Sequence, residues 1–123
     1  MVTRFVVHQH KAGRPHYDLR VMHNNVLRSW SLLKEPPCRN GEKRLAIERE
    51  SFEAEAADCT IFEEEAFGVG NVYTWDKGNV DILGSSAKSI VFNFQGTKLS
   101  GLYELKRMRW YPGNRWLLQK NSI

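Results

Sequence analysis

A chain of 123 residues that is 41% hydrophobic is one ordinary domain, residues 1–123, with a single core; its two cysteines form no C-x-x-C pair, which excludes a disulfide framework and a zinc ribbon. No apolar run reaches the roughly 18 residues of a membrane helix and no secretory leader pattern is present, so no membrane is expected and a reducing cytoplasm is the expected setting. The formal charge of +4 is uneven: Glu48–Glu65 holds eight acids and one base, Arg49, while the rest of the chain holds seventeen Lys or Arg against six acids, a balance that suits a polyanion such as nucleic acid.

The first predicted strand is Arg4–His10, with Val6, His8 and His10 on one face and Phe5, Val7 and Gln9 on the other. Gly13-Arg14-Pro15 reads as a turn. The second strand, His16–Met22, sends His16, Asp18 and Arg20 to one side and Tyr17, Leu19 and Val21 into a core. Folded as a hairpin, the two runs bring imidazole, carboxylate and guanidinium groups to one surface. Imidazole with carboxylate suits a divalent metal, and arginine suits a phosphate, so the pattern points to metal-assisted phosphoester chemistry. Such an ion would polarise a phosphoryl oxygen, and a histidine outside its ligand shell would serve as general acid to the leaving alkoxide.

After the Asn24-Asn25 turn, Val26–Leu33 is the third strand, and Lys34 follows it directly. Pro36-Pro37 and Asn40-Gly41 break the chain before the strand Lys43–Arg49, which carries Arg44 near its start. Arg20, Lys34 and Arg44 are candidate phosphate ligands around the metal, where they would offset charge developing on the phosphate. Glu50–Asp58 is rich in Glu and Ala without an apolar stripe, so one short helical turn is expected there. Glu63-Glu64-Glu65 reads as a solvated acidic turn.

Further strands are predicted at Asn71–Trp75, Val80–Leu83, Ser89–Phe94, Gly101–Arg107 and Arg115–Lys120. The turns between them are Asp76-Lys77-Gly78, Gly84-Ser85, Gly96 and Pro112-Gly113-Asn114. Trp75 and Trp116 are core candidates. Trp110, with Arg107, Arg109 and Arg115 around it, interleaves aromatic and cationic groups as a single-stranded nucleic acid requires, exposure at a hairpin tip being the alternative. The fold class is all-β or mainly β: a closed or nearly closed β-barrel of about eight strands with little helix, or else a sandwich.

On these residues the chain resembles the 3′-phosphoesterase domain of bacterial DNA ligase D and its stand-alone relatives in bacteria and archaea. The family pattern F-V-V-x-x-H followed by H-Y-D-x-R stands here as Phe5-Val6-Val7-His8-Gln9-His10 and His16-Tyr17-Asp18-Leu19-Arg20. The family's S-W-x-x-x-K stands as Ser29-Trp30-Ser31-Leu32-Leu33-Lys34. The likeness continues through Lys43–Glu48, Phe67–Gly78, Lys98–Gly101 and Trp116–Lys120, over nearly the whole chain.

The resemblance implies a compact barrel and a manganese-dependent activity on the 3′ ends of DNA or RNA–DNA primer strands. It implies removal of 3′-phosphates and 3′-ribonucleosides to leave a 3′-hydroxyl for a ligase or polymerase. By position, His10 and Asp18 would be metal ligands, His16 would contact the phosphate as general acid or transition-state stabiliser, and Arg20, Lys34 and Arg44 would hold phosphate oxygens. The chain departs from the pattern in four places. The family's third ligand histidine, in an E-D-H-P stretch, is absent from Glu50-Ser51-Phe52-Glu53, and a following tyrosine is replaced in the region of Ala56-Ala57. The I-P-E-G turn is Phe62-Glu63-Glu64-Glu65, and a glutamine preceding the first histidine is His8. His8, Glu50 and Glu53 are the candidate substitute ligands.

Two functions follow: a manganese-dependent 3′-end repair phosphoesterase, or an end-binding module of the same fold whose catalysis has lapsed. A monomer is expected. A DNA ligase, a polymerase or primase, or an end-binding protein is a candidate protein partner, docking on the acidic Glu48–Glu65 segment.

Overall fold

Runs of β-branched and aromatic residues, separated by Asn, Gly and Pro, resolve into strands in a computed structural model that describes residues 1–11, 13–53, 72–109 and 114–121, with Phe52 and Glu53 described by their backbone alone. The strands are β1 (Val2–His10), β2 (His16–His23), β3 (Val26–Leu32), β4 (Lys43–Glu48), β5 (Phe52–Glu53), β6 (Val72–Ser85), β7 (Ser89–Gln95), β8 (Ser100–Arg107) and β9 (Arg115–Lys120). All pairings are antiparallel, in the order β2-β1-β6-β7-β8-β9-β4-β3, and a further β2–β3 pairing closes eight strands into a barrel. β5 adds a two-residue pairing to Val26 and Leu27 at the start of β3.

Asn24 and Asn25 adopt φ of 53° and 61°, the left-handed pair of a two-residue hairpin turn whose twist matches the flanking strands. This turn fixes the β2–β3 register, in which Asp18 faces Ser31 and Arg20 faces Ser29. The barrel interior is filled by Phe5, Val7, Leu19, Val21, Trp30, Leu32, Phe92, Phe94, Tyr103, Leu105 and Leu118, with Tyr17 and Trp75 packed against them. A separate apolar cluster of Val6, Leu27 and Met22 lies on the opposite face of the β1–β3 wall. The residues that alternate with the core on β1, β2 and β3 therefore stand on the outside of the barrel, among them His8, His10, His16, Asp18, Arg20, Ser29 and Ser31.

The predicted break at Asp76-Lys77-Gly78 is not a turn. Residues 72–85 form one strand that pairs with β1 through Val7↔Asp76 and Phe5↔Gly78 and with β7 through Asn79↔Gln95. A bulge between Val7 and His8 absorbs the irregularity. The Asp76 carboxylate, buried, accepts hydrogen bonds from the main-chain N–H groups of Thr97, Lys98 and Leu99 at 3.0, 2.9 and 2.7 Å, so it caps a neighbouring loop. Gly78 is required by proximity: a Cβ there would lie 2.6 Å from the Gln95 carbonyl oxygen. Gly84-Ser85 likewise stays in β6, with a second bulge between Ile82 and Gly84.

Among the described residues there is no helix. The helical turn expected over Glu50–Asp58 begins instead as the β5 pairing, and 54–58 lie outside the described residues. Among the described residues no helix is long and apolar enough to cross a membrane. Glu48 does not belong to a free acidic surface. Its carboxylate accepts from Arg28 Nε and Nη2 at 3.0 and 2.8 Å and from Trp116 Nε1 at 3.1 Å, with the Arg28 guanidinium over the Trp30 ring at 4.9 Å. The Glu63-Glu64-Glu65 turn lies outside the described residues.

Candidate metal and phosphate site

The antiparallel register builds the site. Across β1 and β2, His10 faces His16, His8 faces Asp18, and Val6 faces Arg20. Because opposite residues of an antiparallel pair share a face, these side chains form two adjacent columns on the outer wall, and Ser31 and Ser29 of β3 supply a third. Asp18 is at the centre. Its Oδ1 accepts a 2.6 Å hydrogen bond from Ser31 Oγ. Its Oδ2 lies 2.7 Å from His10 Nε2, 3.4 Å from His16 Nε2 and 3.6 Å from Arg20 Nη2.

The His10 contact has the distance of a hydrogen bond without its alignment. His10 Nε2 is buried and has no hydrogen-bond partner, although the carboxylate oxygen is 2.7 Å away. A ring nitrogen and a carboxylate oxygen brought this close are both atoms able to ligate one cation. Burial, the largest influence, pushes the His10 pKa below the usual imidazole value, opposed by the Asp18 carboxylate. The neutral ring with a free lone pair is the form that binds metal.

His16 completes the set. Its Nδ1 donates to the Arg14 carbonyl at 3.0 Å, which puts the ring proton on Nδ1 and presents Nε2 as an acceptor. The two imidazoles stack at 4.4 Å with planes 9° apart. One donor atom from each of His10, His16 and Asp18 falls within 4.8 Å of the others. Two imidazole nitrogens and one carboxylate oxygen fit a first-row divalent ion, manganese included. With Nδ1 turned to the Arg14 carbonyl, Nε2 is the His16 ring nitrogen that faces Asp18. It also provides a third donor without the histidine missing near Phe52.

Arg20 is held in place from several directions. Its Nε donates to His8 Nδ1 at 3.3 Å and its Nη1 to Ser29 Oγ at 3.0 Å. His8 is fully buried, its Nδ1 accepts from Arg20, and it stands outside the convergent group of described residues. A cavity of about 480 Å³ opens over these groups, lined by His16, Asp18, Arg20, Ser29, Ser31, Arg49 and Glu50. Glu50 thus reaches the cavity wall, while the side chain of Glu53 and Trp110 lie outside the described residues.

Lys34 and Arg44 are not brought into this cavity. They line an adjacent one of about 290 Å³, with Leu33, Lys43, Leu45 and Ile47, and Ser31 is common to both. Arg44 is braced there by the carbonyls of Glu35 and Lys43 at 2.8 and 2.9 Å and by the Glu42 carboxylate at 3.3 Å. Arg107, Arg109 and Arg115 lie at the β8–β9 hairpin, and β8 is four strands from β2 around the barrel in either direction. The structure does not join them to the site. Sequence reasoning passed over Ser29, Ser31 and Arg49. The first two were visible as polar residues alternating with Leu27 on one face of an otherwise apolar strand, and Arg49 as the lone base of an acidic segment.

Residues 8–107 match the family described as the DNA Ligase D 3′-phosphoesterase domain. The chain belongs to this family. It is 33% identical over 121 residues to the multifunctional non-homologous end joining protein LigD of Mycobacterium bovis, covering 94% of this chain and 16% of that protein. It is 34% identical over 126 residues to the Pseudomonas aeruginosa protein of the same name, covering 97% of this chain and 15% of the relative. The LigD protein of Mycolicibacterium smegmatis is 31% identical over 130 residues, with 95% of this chain covered and 16% of the relative. The chain therefore spans about one sixth of the length of these relatives. Family and barrel both agree with the sequence expectation.

Proposed function

We propose that this 3′-phosphoesterase domain heals 3′ ends of DNA or RNA–DNA primer strands in end-joining repair, removing a terminal phosphate or ribonucleoside to leave a 3′-hydroxyl. The supporting observation is the convergence of His10, His16 and Asp18 donor atoms within 4.8 Å, beside a guanidinium fixed by His8 and Ser29. His10, His16 and Asp18 would hold Mn²⁺, which when bound supplies Lewis-acid polarisation of a phosphoryl oxygen. Ser31 orients the Asp18 carboxylate by its 2.6 Å hydrogen bond. Arg20 faces the phosphate and offsets charge that grows on its oxygens as the ester bond breaks. Lys34 and Arg44 line the adjoining cavity and would contact the strand that carries the phosphate. The 3′-hydroxyl would pass to a ligase or polymerase.

The test is incubation of a primer ending in 3′-phosphate with the protein and Mn²⁺, followed by detection of the 3′-hydroxyl product. Turnover that disappears with chelator and in H10A is expected. Folded protein in excess over primer with no product overturns the assignment. If such a sample still binds 3′ ends with salt-dependent affinity, the domain is an end-binding module, since phosphate contacts release counterions.

A further inference from the structure

Arg20 has few donors left for a substrate. Its Nε and Nη1 are engaged by His8 and Ser29, its Nη2 is 3.6 Å from Asp18, and its side chain is 18% exposed. Arg49 is the complement. It is exposed and lines the same cavity. Its main-chain N–H donates to the Ser29 carbonyl at 2.8 Å, so its backbone is fixed to β3. Its Nε donates to Ser31 Oγ at 3.1 Å, and Ser31 in turn bonds Asp18. Among the described residues, neither terminal nitrogen of Arg49 has an ion-pair or hydrogen-bond partner, and Glu50, on the same cavity wall, does not pair with it. The result is an anchored guanidinium fork with free donors, facing the same cavity as Arg20.

We propose that Arg49 is a second phosphate-binding arginine, paired with Arg20 across Asp18 and Ser31, and that it selects a terminal phosphate over a hydroxyl end. A phosphomonoester carries between one and two negative charges near neutral pH, roughly −1.5 to −2, against one for an internal diester. One braced arginine beside a cation-binding carboxylate matches a diester. A second, exposed fork supplies the additional charge-assisted bidentate contact that a terminal phosphate accepts. The inference rests on the 3′-end reading above and names the residue that sets its end preference.

The experiment uses the full chain with Mn²⁺ and a labelled strand ending in a 3′-phosphonate, whose P–C bond resists hydrolysis, against the same strand ending in 3′-hydroxyl. Wild type binds the phosphonate end more tightly. R49Q loses that preference by about tenfold or more while its affinity for the hydroxyl end changes little. R49K, which keeps the charge without the fork, retains more of the preference than R49Q. Mn²⁺ broadening of the His10 and His16 ring signals is unchanged in R49Q. Retained preference in R49Q overturns the proposal, as does the reverse order of the two variants. Lost manganese binding in R49Q also overturns it, since Arg49 would then act through Ser31 on the metal site. Turnover assays separate this outcome from the parent assignment: an active enzyme whose preference ignores Arg49 refutes only the arginine, and an inactive chain whose preference requires Arg49 refutes only the catalysis. A wild type blind to the phosphonate refutes the arginine outright.

Discussion

Asp18 is the residue on which the site turns, because one carboxylate oxygen serves three nitrogen groups and the other is fixed by Ser31. D18N keeps the size and can still accept from Ser31, but it removes the charge and one good ligand oxygen. Manganese affinity is expected to fall by about a hundredfold or more, with activity falling alongside, read from the ring-signal titration and the primer assay. A second residue-scale prediction concerns acid. Burial, and then the Arg28 guanidinium, hold the His23 pKa below its ordinary value of 6.5. The unfolded chain then binds a proton that the folded one refuses, so stability is full above pH 6.5 and declines as the pH falls below it. Melting temperatures at pH 7.5 and 5.5 should therefore differ less for H23Q than for wild type.

At the scale of elements, legibility depended on whether one strand face had a single task. In β2 the alternation is clean: Tyr17, Leu19 and Val21 pack inward while His16, Asp18 and Arg20 face the cavity, and both sets were readable from period two alone. In β6 it failed, because Asp76 and Gly78 look like turn chemistry and are tertiary devices, one capping the loop at 97–99 and the other making room for β7. D76A leaves the N–H groups of Lys77, Thr97, Lys98 and Leu99 without their acceptor, so a loss of about 3 kcal/mol in denaturant unfolding is expected. D76N, which keeps one acceptor oxygen, should fall between. The candidate site was legible where neighbours were close in sequence and obscure where pairing brought distant segments together. Arg49 reaches Ser31 across the sheet, and Arg44 is turned aside by the Glu35 and Lys43 carbonyls, facts that no local pattern contains.

For the molecule as a whole, closure of eight strands fills the interior mainly with apolar side chains and puts the His10, His16, Asp18 and Arg20 group on the outer wall. A metal held there adds stability by mass action alone. Manganese at a hundred times its dissociation constant should contribute about 2.7 kcal/mol and raise the melting temperature by several degrees. Chelator should reverse the rise, and H10A or D18N should abolish it, as differential scanning fluorimetry would show. The inside–outside alternation of β2 carries a further implication. Sliding that strand by one position would bury an imidazole, a carboxylate and a guanidinium in oil while turning Tyr17, Leu19 and Val21 toward water. Mispairing is thus punished on both surfaces at once, and a molecule that captures its ion has already proved that its strands found their proper partners.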